Sequence, residues 1–455
     1  MNISLPPNVD QANTLLAEMF AAGVASVDPE RVTAAAIACD TGIMRIGDRT
    51  LDLTNGRVFV VAVGKAASGM ALGVSNVLGD RIHAGIALSK DGVAADEGIP
   101  GIRIAFASHP VPDERGVAVT RDILELVSDL KPDDVVIALI SGGGSALLEA
   151  PRAPLHLSDI QQTTDLLLRA GAPIQDLNAV RSELSLVKGG GLRRAIGEAT
   201  CVSLILSDVL GDDPSVIASG PTVPRQPNPC RALQLLNNYD LASRVPGSVL
   251  SLLRQDAENS ESTSGDTAAH PQDLWQIVGD NQSFVAAMQQ LATQKGHRAE
   301  IVWRDREGEA QDLARAFVEV CSRMPDDVDV VLGGGEATVT VRGNGVGGRN
   351  TEFALAAAIE LDREDLPWVI ASLASDGDDG ANERAAGGIA DVGLIARART
   401  LGLDAGSSLA DNDSGTFLRC AGALFDSLPT GTNVNDVYVG IRIRGGHSER
   451  INARE

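Results

Sequence analysis

Short, nearly continuous runs of β-branched and aliphatic residues, several followed by glycine-rich turns, constrain this chain more than any other feature. They lie at 58–63, 82–88, 102–107, 135–140 and 201–206. Runs that do not alternate with polar residues read as strands buried on both faces, the environment of a parallel sheet covered by helices. Helical stretches lie between them, so the first part of the chain is expected to be an α/β domain with a doubly wound, Rossmann-like parallel sheet.

The rest of the organisation follows from local signals. LLAEMFAAGVASV has apolar residues at helical spacing, and VDPERVTAAAI offers Asp28 as a cap with Pro29 in the first turn, so about 10–39 reads as one or two helices. Residues 255–273 are polar and aperiodic and read as an exposed loop or linker. Beyond it, strands are expected near 277–278, 299–303, 328–332, 339–342, 368–374 and 437–443, and the alternation of TVTVR points to a mixed sheet. The expected division is an N-terminal domain over 1–254 and a second α/β domain over 274–455, sizes that suit two cores with a cleft between them.

A net charge of −23, with no basic run, repels nucleic acid and anionic membranes, and 3% aromatic residues supply no stacking platform. An anionic substrate then needs local cations. Lysine occurs only at Lys65, Lys90, Lys131, Lys188 and Lys295, and of these Lys65 and Lys188 lie beside glycines. Five scattered cysteines without a C-x-x-C pair argue against a disulfide framework or a zinc site. With no stretch of about 18 apolar residues and no signal-like start, a cytoplasmic location is expected.

Five regions can carry chemistry. In VFVVAVGKAASG a buried strand runs into Gly64 and Lys65 and then a helix, an arrangement suited to a phosphate or carboxylate although Walker A order is absent. In VVIALISGGGSALL, Gly142, Gly143 and Gly144 can form an anion-binding nest with the hydroxyls of Ser141 and Ser145, or simply a tight turn. Arg181 and Lys188 stand seven residues apart, about two helical turns, so one face either holds a carboxylate or ends a solvated helix near Gly189. Asp208 ends the strand VSLILSD, where doubly wound folds bind ligands, as a general base or a magnesium ligand. In the second half, Gly333–Glu336 repeats the glycine-run logic, and Gly347-Gly348-Arg349 opens a helix that would set an arginine against a transferring phosphoryl group. Asp376, Asp378 and Asp379 form an acidic loop that either binds Mg²⁺ or is a solvated turn, and His109 is either a turn residue or a substrate contact.

Taken in order, VGKAA, HPVPDE, SGGGSAL, LNAVRSELSLVKGGGL, SDVLGDDPSVIASGPT, GGGEATV, GGRNTEFAL, ASDGDDG and TGTNVND make the chain resemble the glycerate 2-kinase family, whose C-terminal part is called the MOFRL domain. The resemblance implies two α/β domains with the active site between them. It implies ATP and Mg²⁺ as co-substrates and D-glycerate, converted to 2-phosphoglycerate, as acceptor, in a monomer or homodimer. Lys65 and Arg349 match the VGK and GGRN motifs and are expected at the site, Lys65 on phosphate or carboxylate and Arg349 on the developing charge. Gly334, Gly335, Glu336 and Gly348 are expected to touch the nucleotide, Asp208 to accept the hydroxyl proton, and Asp208, Asp376 and Asp378 to serve the metal. Two rivals stand beside this reading. Gly343, Gly345 and Gly348 satisfy G-x-G-x-x-G, the basis for an NAD(P)-dependent hydroxypyruvate reductase, although Asp376 follows later than that fingerprint requires. A non-enzymatic nucleotide or sugar-acid sensor is the other.

Overall fold

In the computed structural model, residues 7–92, 98–260, 270–382 and 384–444 are described. The chain divides into two compact units, Asp28–Gly279 and Met1–Val27 together with Asp280–Glu455.

The unit of residues 28–279 opens with helix Pro29–Ala36, whose N-cap Asp28 accepts from Arg31 N. A small antiparallel sheet of β1 (Ala38–Asp40), β2 (Ile43–Ile46) and β3 (Arg49–Asp52) follows. The main sheet contains β4 (Val58–Val63), β5 (Ile82–Lys90), β6 (Ile102–Ala107), β7 (Val135–Ser141), β8 (Thr200–Leu206) and β9 (Leu274–Gly279). All pairs are parallel and the order is β6-β5-β4-β7-β8-β9. Every residue of β4, β7 and β8 is buried, which is why these runs carry no polar alternation. The chain winds outward from β4 through β5 to β6, then returns to the other side of β4 with β7. The reversal leaves a crevice beyond the C-terminal ends of β4 and β7, where folds of this kind bind ligands.

The second unit carries a mixed sheet, as expected. Its strands are β10 (Ala299–Glu309), β11 (Val330–Thr338), β12 (Trp368–Ala374), β13 (Ala385–Asp391), β14 (Leu424–Asp426) and β15 (Asp436–Arg442), ordered β10-β11-β15-β12-β13-β14. Only β10 and β11 run parallel. Helix Arg349–Glu364 packs on this sheet, with Phe353, Leu355 and Leu361 fully buried.

Three sequence expectations change here. The chain does not divide at 255–273: residues 255–260 continue helix Gly247–Ser260, 261–269 lie outside the described residues, and Asp273 is buried. Asp273 pairs with Arg193 at 2.5 Å and accepts from Cys201 N at 2.9 Å, which ties β9 onto the first sheet. The N-terminal helix Pro7–Ser26 belongs to the second unit. Phe20 stacks edge-on against Phe284 and Phe425, and Glu18 pairs with Lys295, because its apolar face is covered by helix Asn281–Gln294 and the strands beyond it. Residues 339–342 are not a strand: β11 runs earlier, through the glycine run itself, and Val341 is exposed.

Candidate active site

In the first unit, the loops after β4, β7 and β8 meet at the sheet reversal. Lys65 N donates to Gly142 O at 2.8 Å, and Ala66 N donates to Ser141 Oγ at 3.1 Å, so the VGK and SGGGS turns are stitched together. A side chain on Gly142 would overlap the carboxylate of Asp208. Gly143 has φ +82°, a left-handed conformation that favours glycine, and a Cβ there would lie 3.1 Å from His109 and 3.2 Å from Lys65 Cγ. The Ser141–Gly144 turn is thus framed by Gly64, Lys65, His109 and Asp208. The turn reading of His109 and its contact reading merge: it is a loop residue that borders the nest.

Ser145 Oγ lies 2.7 Å from Ser219 Oγ, which donates to Asn178 Oδ1 at 2.9 Å. Ala218 and Ser219 hold φ of 51° and 63°, backbone strain of the sort that gathers at functional sites. Neither Ser219 nor Asn178 carried a sequence signal beyond its place in SGPT and LNAV.

Arg181 and Lys188 do not share a helix face. Helix Ile174–Leu184 ends between them because Ser185 is extended. Both still converge on the segment after the glycine turn, but from inside the core. Arg181 Nη2 donates to Ser145 O at 2.6 Å, while Lys188, 1% exposed, donates to Leu148 O at 2.7 Å and pairs with Glu149 at 2.9 Å. Burial lowers the pKa of Arg181, with Glu149 opposing the shift. A cavity of about 710 Å³ in the same unit involves neither of them. Its arginines, Arg152, Arg194 and Arg225, are accompanied by Glu183 and Asp256, and Arg152 already donates to Asp256 at 2.7 Å.

The second unit builds a separate centre around Arg349 at the start of helix Arg349–Glu364. Its Nη1 donates to Glu336 Oε1 at 2.7 Å, Nη2 donates to Asp436 Oδ1 at 2.9 Å, and Nε faces Asp436 Oδ2 at 2.7 Å. Three of its five N–H groups are thereby engaged by these two carboxylates. Burial works against the guanidinium charge, but Asp436 and Glu336 more than offset it and hold its pKa above the ordinary value. Asp436 has no solvent exposure, and burial raises its pKa to about 6 even though Arg349 and Asn350 stabilise its charge. Glu336 is also fixed, accepting from Asn435 Nδ2 at 2.9 Å.

The acidic loop after β12 splits into three environments. Asp379 is buried and accepts from the N–H groups of Asn350 and Thr351 at 2.8 Å, so it caps the arginine helix from outside. Asp378 is exposed, and its N–H donates to Asp376 Oδ1 at 3.1 Å. Asp376 is half-buried and close enough to Arg349 to support its charge. Among the described residues no three carboxylate, imidazole or thiolate groups converge on a metal position. Asp376 and Asp378 offer carboxylate oxygens, the donor type that a hard divalent cation takes.

Gly334 and Gly335 do not form a nucleotide turn. They pair with Val437 and Asp436 across β11–β15, and side chains on them would overlap Asn281 Oδ1 and the Arg306 carbonyl. These glycines permit close packing inside a sheet. Gly348 precedes the helix, but its N–H donates to Thr351 Oγ1 at 2.9 Å. The G-x-G-x-x-G fingerprint likewise fails as a dinucleotide cradle. Gly343 N donates to Asn412 Oδ1 at 3.0 Å and Gly345 N to Asp411 O at 2.9 Å, so these donors are spent on the chain's own 411–413 loop.

Residues 15–254 match the family described as Domain of unknown function (DUF4147), and residues 329–436 match the MOFRL family. The chain belongs to the glycerate 2-kinase family of phosphotransferases. The D-glycerate 2-kinase of Thermotoga maritima is 38% identical over 392 residues, covering 85% of this chain and 90% of that protein. The glycerate 2-kinase of Pyrococcus horikoshii is 35% identical over 92% of this chain and 94% of its own length. An Agrobacterium vitis relative, 36% identical over 94% of this chain and 93% of its own, carries a provisional hydroxypyruvate reductase name. The crystal structure of glycerate kinase from Thermotoga maritima superposes with a TM-score of 0.83 at 35% identity, over 95% of this chain and 100% of that one. A phosphotransferase of this family takes a nucleotide as phosphoryl donor. Among the described residues no helix is long and apolar enough to cross a membrane.

Proposed function

We propose that this chain transfers the γ-phosphoryl group of ATP to the 2-hydroxyl of D-glycerate, with Mg²⁺ bound to the nucleotide. The observation that carries the reading is the convergence of Lys65, the Ser141–Gly144 turn and Asp208 at the reversal of the parallel sheet. Phosphoryl transfer needs positioning and charge neutralisation more than covalent help. Lys65 and the turn hold phosphate or carboxylate oxygens. Asp208 accepts the proton of the glycerate hydroxyl as its oxygen bonds to phosphorus and the bond to the ADP oxygen breaks. In the second unit Arg349, aimed by Asp436 and Glu336, offers its guanidinium charge to an anionic group of substrate or nucleotide. In that unit Asp376 is the carboxylate that would hold a metal ion, which would supply further charge neutralisation.

The protein is expected in the cytoplasm as a monomer or homodimer without nucleic-acid or membrane partners, and sizing by light scattering checks the assembly. Purified protein given D-glycerate, ATP and Mg²⁺ should release ADP and form 2-phosphoglycerate, read by coupled assay and ³¹P NMR. Oxidation of NADH with hydroxypyruvate, and no ADP release, would overturn the reading.

A further inference from the structure

Lys188 is among the largest fully buried side chains of the described chain, although removing an ammonium from water costs several kcal/mol unless it is well paired. A core that needed only volume there would be served by methionine. What the amine does is specific: it reaches Leu148 O and the Glu149 carboxylate. Arg181 reaches Ser145 O. Two cations therefore hold carbonyls at 145 and 148, around the end of the four-residue helix Gly144–Leu147. Glu149 is fixed in turn, its Oε1 accepting from Ala150 N at 3.0 Å and its N–H donating to Thr120 Oγ1 at 3.2 Å.

One helical turn has no stability of its own. The shape of the Ser141–Ser145 turn is imposed from outside, by these cations on one side and by Ser219 on the other. That turn also sets its neighbours, through the bond from Lys65 N to Gly142 O and the contact of Gly142 with Asp208.

We propose that Lys188, with Glu149 and Arg181, is a buried positioning device that fixes the Ser141–Ser145 turn and through it Lys65 and Asp208, and that it does not itself touch phosphate. The proposal deepens the phosphotransfer reading and rests on it. The charged groups facing the amine are Glu149 and Arg181, and burial, with Arg181 adding and Glu149 opposing, pulls its pKa down to about 8. The brace should therefore slacken as pH rises through about 8.

The decisive variant is Lys188→Met combined with Glu149→Gln, which removes the paired charges together, keeps an acceptor for Ala150 N–H and leaves Arg181 bonded to Ser145 O. Amide exchange across 141–148 should quicken at least about tenfold while the thermal midpoint stays near wild type. Turnover number should fall at least about tenfold with KM within about threefold. Wild-type exchange and wild-type kcat would overturn the proposal, as would a raised KM for ATP with exchange unchanged, which would make Lys188 a direct ligand. If the double variant does not fold, Lys188→Arg decides. Wild-type kcat should decline above about pH 8 and the arginine variant, which keeps its charge, should not; the same limb in both, or none in wild type, overturns the proposal. A wild type that releases no ADP would sink the phosphotransfer reading separately, and the exchange comparison would still judge the brace.

Discussion

The chain contains three runs of three glycines, and two of them, Gly142–Gly144 and Gly333–Gly335, fold to opposite ends. The first follows a strand and turns through a left-handed residue, leaving a turn bordered by Lys65, His109 and Asp208. The second lies inside β11, paired on both sides, with Asn281, Arg306 and Trp303 pressed against its bare α-carbons. One run turns away from a strand end, and the other lies within a strand. Glycine content alone does not tell a ligand cradle from a packing device; what surrounds the run does. Flanking serines and a lysine-bearing loop earlier in the chain mark the first, and an alternating polar tail on an otherwise apolar strand marks the second.

The contrast can be broken by substitution. The largest effect is expected at the first run's cation: Lys65→Ala should lower kcat by about 10²–10³-fold with little change in thermal midpoint, measured by ADP release and calorimetry. Gly335→Ala should do the reverse. Its new methyl meets backbone that cannot yield, so a loss of about 3 kcal/mol, or roughly 6–12 °C, is expected by thermal unfolding. Activity lost at 335 with the midpoint unchanged would show that the strand run touches ligand after all. Gly143→Ala is intermediate, about 1 kcal/mol of left-handed strain with a roughly tenfold fall in kcat from crowding against His109 and Lys65. Smallest of all, Asp378→Asn should change kcat by less than about threefold, since its side chain is exposed and only its N–H is engaged.

A pH profile sharpens the second unit's side of the comparison. Burial raises the pKa of Asp436 to about 6, so acidification through that value neutralises the group that aims Arg349, and kcat should fall. The stability contribution of this carboxyl has the opposite sign. A raised pKa favours the folded state on the acid side, and that contribution is lost as pH rises through about 6. Turnover should therefore decline between about pH 6 and 5 without a fall in thermal midpoint attributable to Asp436, and a parallel fall in both would assign the limb to unfolding.

The fold was legible wherever burial was two-sided. β4, β7, β8 and β12 are written as apolar runs because both faces are covered. β13, AAGGIAD, was not legible, since its glycines are chosen for close approach to Ser372 and Ala354 and give no period. Among the site residues, Lys65 and Asp208 could be found because strand ends in this topology are where ligands bind. Lys188 was visible as a rare cation, but its burial was not, because that depends on Glu149, a partner 39 positions away. Asp436 hid in TNVND, which reads as a turn, and only the pairing of β15 with β11 carries it to Arg349.

The helix Pro7–Ser26 precedes the whole first unit in sequence yet rests on Asn281–Gln294. During synthesis it leaves the ribosome well before its cover exists. At about 5–20 residues per second, the roughly 250 residues between them take on the order of 10–50 s to make. For that interval Leu16, Met19 and Phe20 have no partner of their own, while the intervening unit is free to fold. The order of translation thus creates a period in which a hydrophobic segment waits, and a holding chaperone would find its opportunity there.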